Sequence, residues 1–134
     1  MHSLKSYISI LTFLFIVFSL SCDQKNENEI ITGKWTLVNF ECCELPREKF
    51  DNNQIIWEIS SKKKVISIVN NVSLSQSQYF FEDGDYEIIS IDDISLTFIY
   101  KERDYKFNYV IENNELELTR NISSDGMIII FKKT

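Results

Sequence analysis

Tyr105-Lys-Phe-Asn-Tyr-Val-Ile-Glu-Asn-Asn-Glu-Leu-Glu-Leu-Thr-Arg120 decides the fold. Phe107, Tyr109 and Ile111 oppose Lys106, Asn108 and Glu112. Leu116 and Leu118 oppose Glu115, Glu117 and Thr119. A period of two is the period of a strand with one buried face. Asn113-Asn114 between the two runs is turn chemistry, and so short a connection joins only antiparallel strands. The stretch is a β-hairpin with one apolar face.

The same pattern extends outward in both directions. Ile55, Trp57 and Ile59 face away from Gln54, Glu58 and Ser60. Strands are predicted over 33–40, 54–60, 64–69, 85–91, 94–100, 105–112, 115–120 and 127–132. Turns are expected at Asp92-Asp93, at Glu102-Arg103-Asp104, at Asn113-Asn114 and at Ser123-Ser124-Asp125-Gly126. Two connections are longer, 41–53 and 70–84, and the first has room for one helical turn around Pro46 to Phe50. The last strand departs from alternation, since Met127 to Phe131 are apolar on both faces; its outer face needs a cover from a loop, a chain terminus or a partner. Alanine is absent and Pro46 is the only proline, while aromatic and β-branched residues abound, which favours strands. The expected fold is all-β, an up-and-down antiparallel barrel of about eight strands, because closure removes the sticky edges of an open sheet.

The N-terminus is of another kind. Lys5 precedes an apolar run from Ile8 to Leu20, too short to cross a bilayer, which takes about 20 residues, but of the length of a cleaved export signal. Ser19-Leu20-Ser21-Cys22 follows, and it resembles the lipobox of bacterial lipoproteins, with Ser19 in place of the usual leucine. The resemblance implies cleavage before Cys22 and lipidation of its sulfur. Residues 23–29 are polar throughout and suit a flexible tether. The expected organisation is a signal peptide over 1–21, a lipidated tether over 22–29 and a barrel domain over 30–134. The expected location is the cell envelope, lipid-anchored at the periplasmic face or the surface of a Gram-negative cell. Asp23 resembles an inner-membrane retention signal in some bacteria, and acidic residues there resemble a surface-display signal in others; both stay open.

Gly33-Lys34-Trp35 opens the first strand. It resembles the Gly-x-Trp signature of lipocalins and of bacterial lipocalin-like lipoproteins, in which the glycine turns the chain into the barrel and the indole plugs the closed end. That family also sets a basic residue from the last strand against the tryptophan. Strand parity places Lys132 there, with Arg120 as the substitute if the strand count is off by one. The short loop motif of lipocalins and their long helix after the barrel are absent, which implies a minimal barrel.

The net charge of −6 repels nucleic acid, and no basic stripe offsets it. Lys62-Lys63-Lys64 reads as a solvated turn. The only histidine is His2, inside the signal, so histidine-based catalysis and the usual zinc sites have no residues to use. No cofactor, metal or enzymatic activity is expected. Cys42 and Cys43 are adjacent, readable as a redox pair, a vicinal or intermolecular disulfide, or two small loop residues. Glu82, Asp83, Asp85 and Asp93 offer oxygen ligands, but the region reads better as a hairpin turn with Gly84 at positive φ than as a calcium loop.

Two functions follow from the aromatic content. In the first, Trp35, Trp57, Phe98 and Phe107 line a cavity for a small apolar or amphipathic ligand. In the second, the barrel is filled, and loops 41–53 and 70–84 bind another envelope protein or inhibit an enzyme, with Tyr79-Phe80-Phe81 as the contact patch if exposed. Eight-stranded barrels sit at the size where either outcome is possible.

Overall fold

The computed structural model describes residues 30–42, 48–72, 81–121 and 126–134. The expected signal and tether, with Cys22, lie outside the described residues. The strands are β1 (Gly33–Cys42), β2 (Glu48–Lys49), β3 (Ile55–Ser60), β4 (Val65–Asn70), β5 (Gly84–Ile91), β6 (Ser95–Tyr100), β7 (Arg103–Glu112), β8 (Glu115–Arg120) and β9 (Met127–Lys133). There is no helix among the described residues.

Every neighbouring pair is antiparallel, in the order β2-β1-β3-β4-β5-β6-β7-β8-β9, and β1 also pairs with β9. The eight long strands therefore close into an up-and-down barrel, the lipocalin-like architecture expected. β1 serves two partners on one side. Its first half, Gly33 to Thr36, pairs with β3, and Asn39 and Phe40 pair with β2. β2 thus covers the edge of β1 that β3 leaves free. A helical turn around Pro46 to Phe50 does not form at its described end, because Glu48 and Lys49 are extended against β1. Register shifts between Leu37 and Asn39 on β1 and between Ile88 and Ser90 on β5 mark bulges. Such bulges bend the strand and add the twist that closure needs.

Alternation holds where it was legible. Ile55, Trp57, Ile59, Phe107, Tyr109, Leu116 and Leu118 all enter the core, joined by Trp35, Leu37, Leu96, Phe98, Ile129 and Phe131. The outward residues of β9, Ile128 and Ile130, are half-buried. They sit between Glu41 and Thr119, and between Asn39 and Glu117, on the flanking strands, whose side chains provide part of the expected cover.

Two hairpins use turns with both central residues at positive φ. Asn113 (50°) and Asn114 (62°) join β7 to β8, and Lys101 (47°) and Glu102 (62°) join β6 to β7. The second turn is one or two residues earlier than expected, since Arg103 and Asp104 already pair with Tyr100 and Ile99. Asparagine tolerates this left-handed conformation and glutamate does not. Glu102→Gly is expected to raise stability by about 1 kcal/mol, read as a higher urea midpoint at unchanged slope.

Asp92 holds the β5–β6 turn. Its Oδ1 accepts from the backbone N–H of Ile94 (3.0 Å) and Ser95 (2.6 Å), and its Oδ2 from the Ser95 hydroxyl (2.7 Å). The Ser95 hydroxyl foremost, then the Ile94 amide, holds this carboxyl below the usual carboxylate range. A lowered folded-state value means stability that is present above the ordinary carboxylate range and lost as pH falls through the lowered one. Asp92→Asn is expected to flatten that acid limb of the stability curve, measured by urea unfolding across acidic pH.

Candidate functional site

The end of the barrel where β1 begins is closed by Trp35. Its indole is fully buried and donates from Nε1 to the Ile31 carbonyl at 2.8 Å. Gly33 has φ of +139°, a conformation side-chain-bearing residues rarely adopt, as the chain turns into β1. The basic residue over the indole is Lys133, whose Nζ lies 5.2 Å from the ring centroid. Lys132, expected in that role, is one residue out of phase. It is exposed and pairs with outward-facing Thr36, while Lys133 pairs with Trp35 itself. The structure buries Ile129 and Phe131, and that parity leads to Lys133. Arg120 lies at the opposite mouth, as strand parity requires, with its guanidinium 4.3 Å from the Tyr105 ring.

Trp57, Phe98 and Phe107 meet in the interior, and Trp57 is the direct cross-strand partner of Trp35. Trp57 packs edge-on to Phe98 at 5.7 Å, Phe98 stacks on Phe107 at 6.0 Å, and Phe131 lies 5.1 Å from Trp57. Phe81 completes the cluster. It precedes β5 and is not on a strand, yet its ring is buried. It contacts Trp57 (5.3 Å), Phe98 (5.3 Å), Tyr100 (4.8 Å) and Tyr105 (5.3 Å), mostly edge to face, the favoured geometry for aromatic pairs. Phe81 therefore stoppers the interior instead of belonging to an exposed contact patch; Tyr79 and Phe80 lie outside the described residues. Between Trp57, Phe81, Phe131, Leu37, Phe40, Ile55 and Ile129 there remains a gap of about 10 Å³, no larger than one water needs.

Polar groups ring this mouth. The Tyr86 hydroxyl donates to the Glu82 carbonyl at 2.7 Å, and the Lys101 ammonium bonds the Glu82 carboxylate at 2.7 Å. Burial foremost, with Tyr100 and Glu82 nearby, pushes the Tyr86 phenol up. The acidic run does not converge. Glu82 pairs with Lys101, Asp83 accepts from the Asn70 backbone, and Asp85 accepts from the Ser67 hydroxyl at 2.5 Å. Gly84 has positive φ (+148°) as expected, but it starts β5 rather than sitting in a hairpin turn.

Cys42, the last residue of β1, is buried and disulfide-bonded. Its partner lies outside the described residues, as do both other cysteines, Cys22 and Cys43. If Cys22 carries lipid, only Cys43 remains within the chain. Intact mass of the unreduced protein is then expected to be lighter by two hydrogens than the reduced form, with no titratable thiol.

The long connections, 41–53 and 70–84, both leave and re-enter the barrel at the Phe81 mouth, opposite Trp35. No protein-family model matches the chain, and no curated protein or solved structure matches it either.

Proposed function

We propose that the chain is a lipid-anchored envelope protein, non-enzymatic, whose barrel is a rigid filled scaffold that presents its far loops to another envelope protein. The observation that carries this reading is the packed interior. Among the described residues, side chains of β1, β3 and β9 and the Phe81 stopper leave about 10 Å³ between them, where a carrier of a small apolar molecule needs a few hundred. The topology agrees. Residue 30 leaves the barrel at the Trp35 end, and the long connections lie at the other, so an anchor at Cys22 would turn the loops outward.

The competing reading is an interior ligand carrier. One feature favours it, namely that Phe81 is the one ring of the cluster not held on a strand, so its displacement would open the barrel.

Native mass spectrometry after exposure to an envelope lipid extract separates the two. The filled-scaffold reading expects a clean apo mass. A small molecule retained at one-to-one stoichiometry would put the ligand-carrier reading in its place.

A further inference from the structure

We propose that the Trp35 end of the barrel lies on the bilayer surface, with a groove formed by Ile30, Ile94 and Val110 seated at the boundary between headgroups and acyl chains. This deepens the proposed function and rests on its lipid anchor at Cys22.

Five large apolar side chains are exposed among the described residues, and four of them share this end. Ile30 precedes β1, Ile94 projects from the β5–β6 turn, Val110 is two residues from the end of β7, and Ile89 is two residues from the end of β5. Only Val69 is at the opposite end. Ile94 is 69 % exposed and Val110 57 %. Neither is forced outward by lack of core space alone. Asp92 clamps the backbone amide of Ile94 so that its side chain points away, and Val110 takes the outward phase between buried Tyr109 and half-buried Ile111. With Ile30 they line one open groove of about 360 Å³. Scattered exposed apolar residues need no explanation, but a cluster on one end marks a contact.

Charge identifies the contact. Lys62, Lys63 and Lys64 in the β3–β4 turn, and Lys132 and Lys133 at the end of β9, are exposed at the same end. With Lys34 these lysines outnumber the acids of the same end, Asp92, Asp93, Glu112 and Glu115, whereas at the opposite mouth Glu82, Asp83, Asp85, Glu102 and Asp104 outnumber Lys101, Arg103 and Arg120. Lysine stems let ammonium groups sit at lipid phosphates while shorter apolar side chains reach deeper, and anionic leaflets attract such clusters. Asp93 also lines the groove, and its carboxylate limits the depth to the headgroup boundary. Reach adds the orientation. Seven residues lie between Cys22 and Ile30, and the eight residue steps span at most about 29 Å when extended. An inverted barrel would consume nearly all of that length, since the ten residues of β1 run about 33 Å and rise about 25 Å along the barrel axis at the usual strand tilt of about 40°. The occupant is therefore an anionic bilayer surface, not a second protein.

The test uses the full chain, expressed with its own leader in a bacterial host, purified in detergent and reconstituted into phosphatidylethanolamine–phosphatidylglycerol vesicles carrying a brominated phosphatidylcholine. Ile94→Trp reports on the proposed contact and Val69→Trp on the far end, with the unsubstituted chain, whose two tryptophans are buried, as baseline. Emission added by Ile94→Trp is expected to fall about twofold, as for a side chain held ~5–10 Å into the interface, while that added by Val69→Trp stays unquenched. Equal quenching at both positions, or none at Ile94→Trp in protein that floats with the vesicles, would overturn the orientation while leaving the anchor intact. Flotation of Cys22→Ser in parallel tests the anchor separately. Its loss from the vesicles supports the lipid at Cys22. Its retention with Ile94→Trp still quenched removes the lipid from the account but keeps the groove as the membrane contact.

Discussion

Trp57→Ala is expected to lower stability by about 3–5 kcal/mol, the usual cost of truncating a large buried aromatic without collapse of the space it leaves. That is a fifth or more of the roughly 5–15 kcal/mol available to a typical domain. The large value follows from where the indole sits. It is 2 % exposed and touches Phe81, Phe98 and Phe131, which come from a loop and two other strands across the barrel. Neighbouring strands of a closed barrel cannot move in to refill the site, because hydrogen bonds on both sides fix their spacing at about 4.8 Å. Urea unfolding followed by far-UV circular dichroism measures the loss, and Trp57→Phe serves as the smaller change. A loss under about 1 kcal/mol, within the range of a surface substitution, would mean that the interior is not packed around this ring, and the filled-scaffold reading would go with it.

The residues that make this core were legible because a strand with one wet face writes its phase into the sequence. Glu58 between Trp57 and Ile59, and Asn108 between Phe107 and Tyr109, leave no choice of inward face. Where both faces are apolar the phase is lost. Met127 to Phe131 carry no polar marker, so the lysine opposite Trp35 was placed one residue early at Lys132. The pairing of β9 with β1 resolves it to Lys133. β2 was illegible for another reason: two residues, Glu48 and Lys49, have no period, and only the free edge of β1 makes them a strand. Lys101-Glu102 has no turn signature either. Its left-handed conformation is imposed by the register of β6 and β7, with the Lys101–Glu82 contact at 2.7 Å alongside.

The apolar groove divides in the same way. Val110 stands in an alternating run, so its outward phase could be read from the hairpin, as could the apolar character of Ile94. That Ile30, Ile94 and Val110 face one groove depends on the barrel closing, which brings the residue before β1 beside the β5–β6 turn and the end of β7. Three-dimensional closure, not local pattern, builds the surface that the proposed membrane contact uses.

Phe81 was the least legible core residue and carries the second large prediction. Nothing in Phe80-Phe81-Glu82-Asp83-Gly84 says which ring turns inward, yet Phe81 makes ring contacts with Trp57, Phe98, Tyr100, Tyr105 and Phe107. Phe81→Ala is expected to lower stability by about 3 kcal/mol and to leave an apolar hole at the mouth of the barrel. Holes lined by such side chains stay dry and accept small apolar molecules. Added benzene or indole is therefore expected to raise the melting temperature of Phe81→Ala and to leave the unsubstituted chain unchanged, since a ligand stabilises only the state that binds it. The comparison decides between the two functional readings. Stabilisation of the unsubstituted chain as well would mean that the Phe81 ring swings out under ligand pressure, and the barrel would then be a stoppered carrier. A response confined to Phe81→Ala means that the ring is a fixed part of the core, and that whatever this barrel recognises meets it from outside.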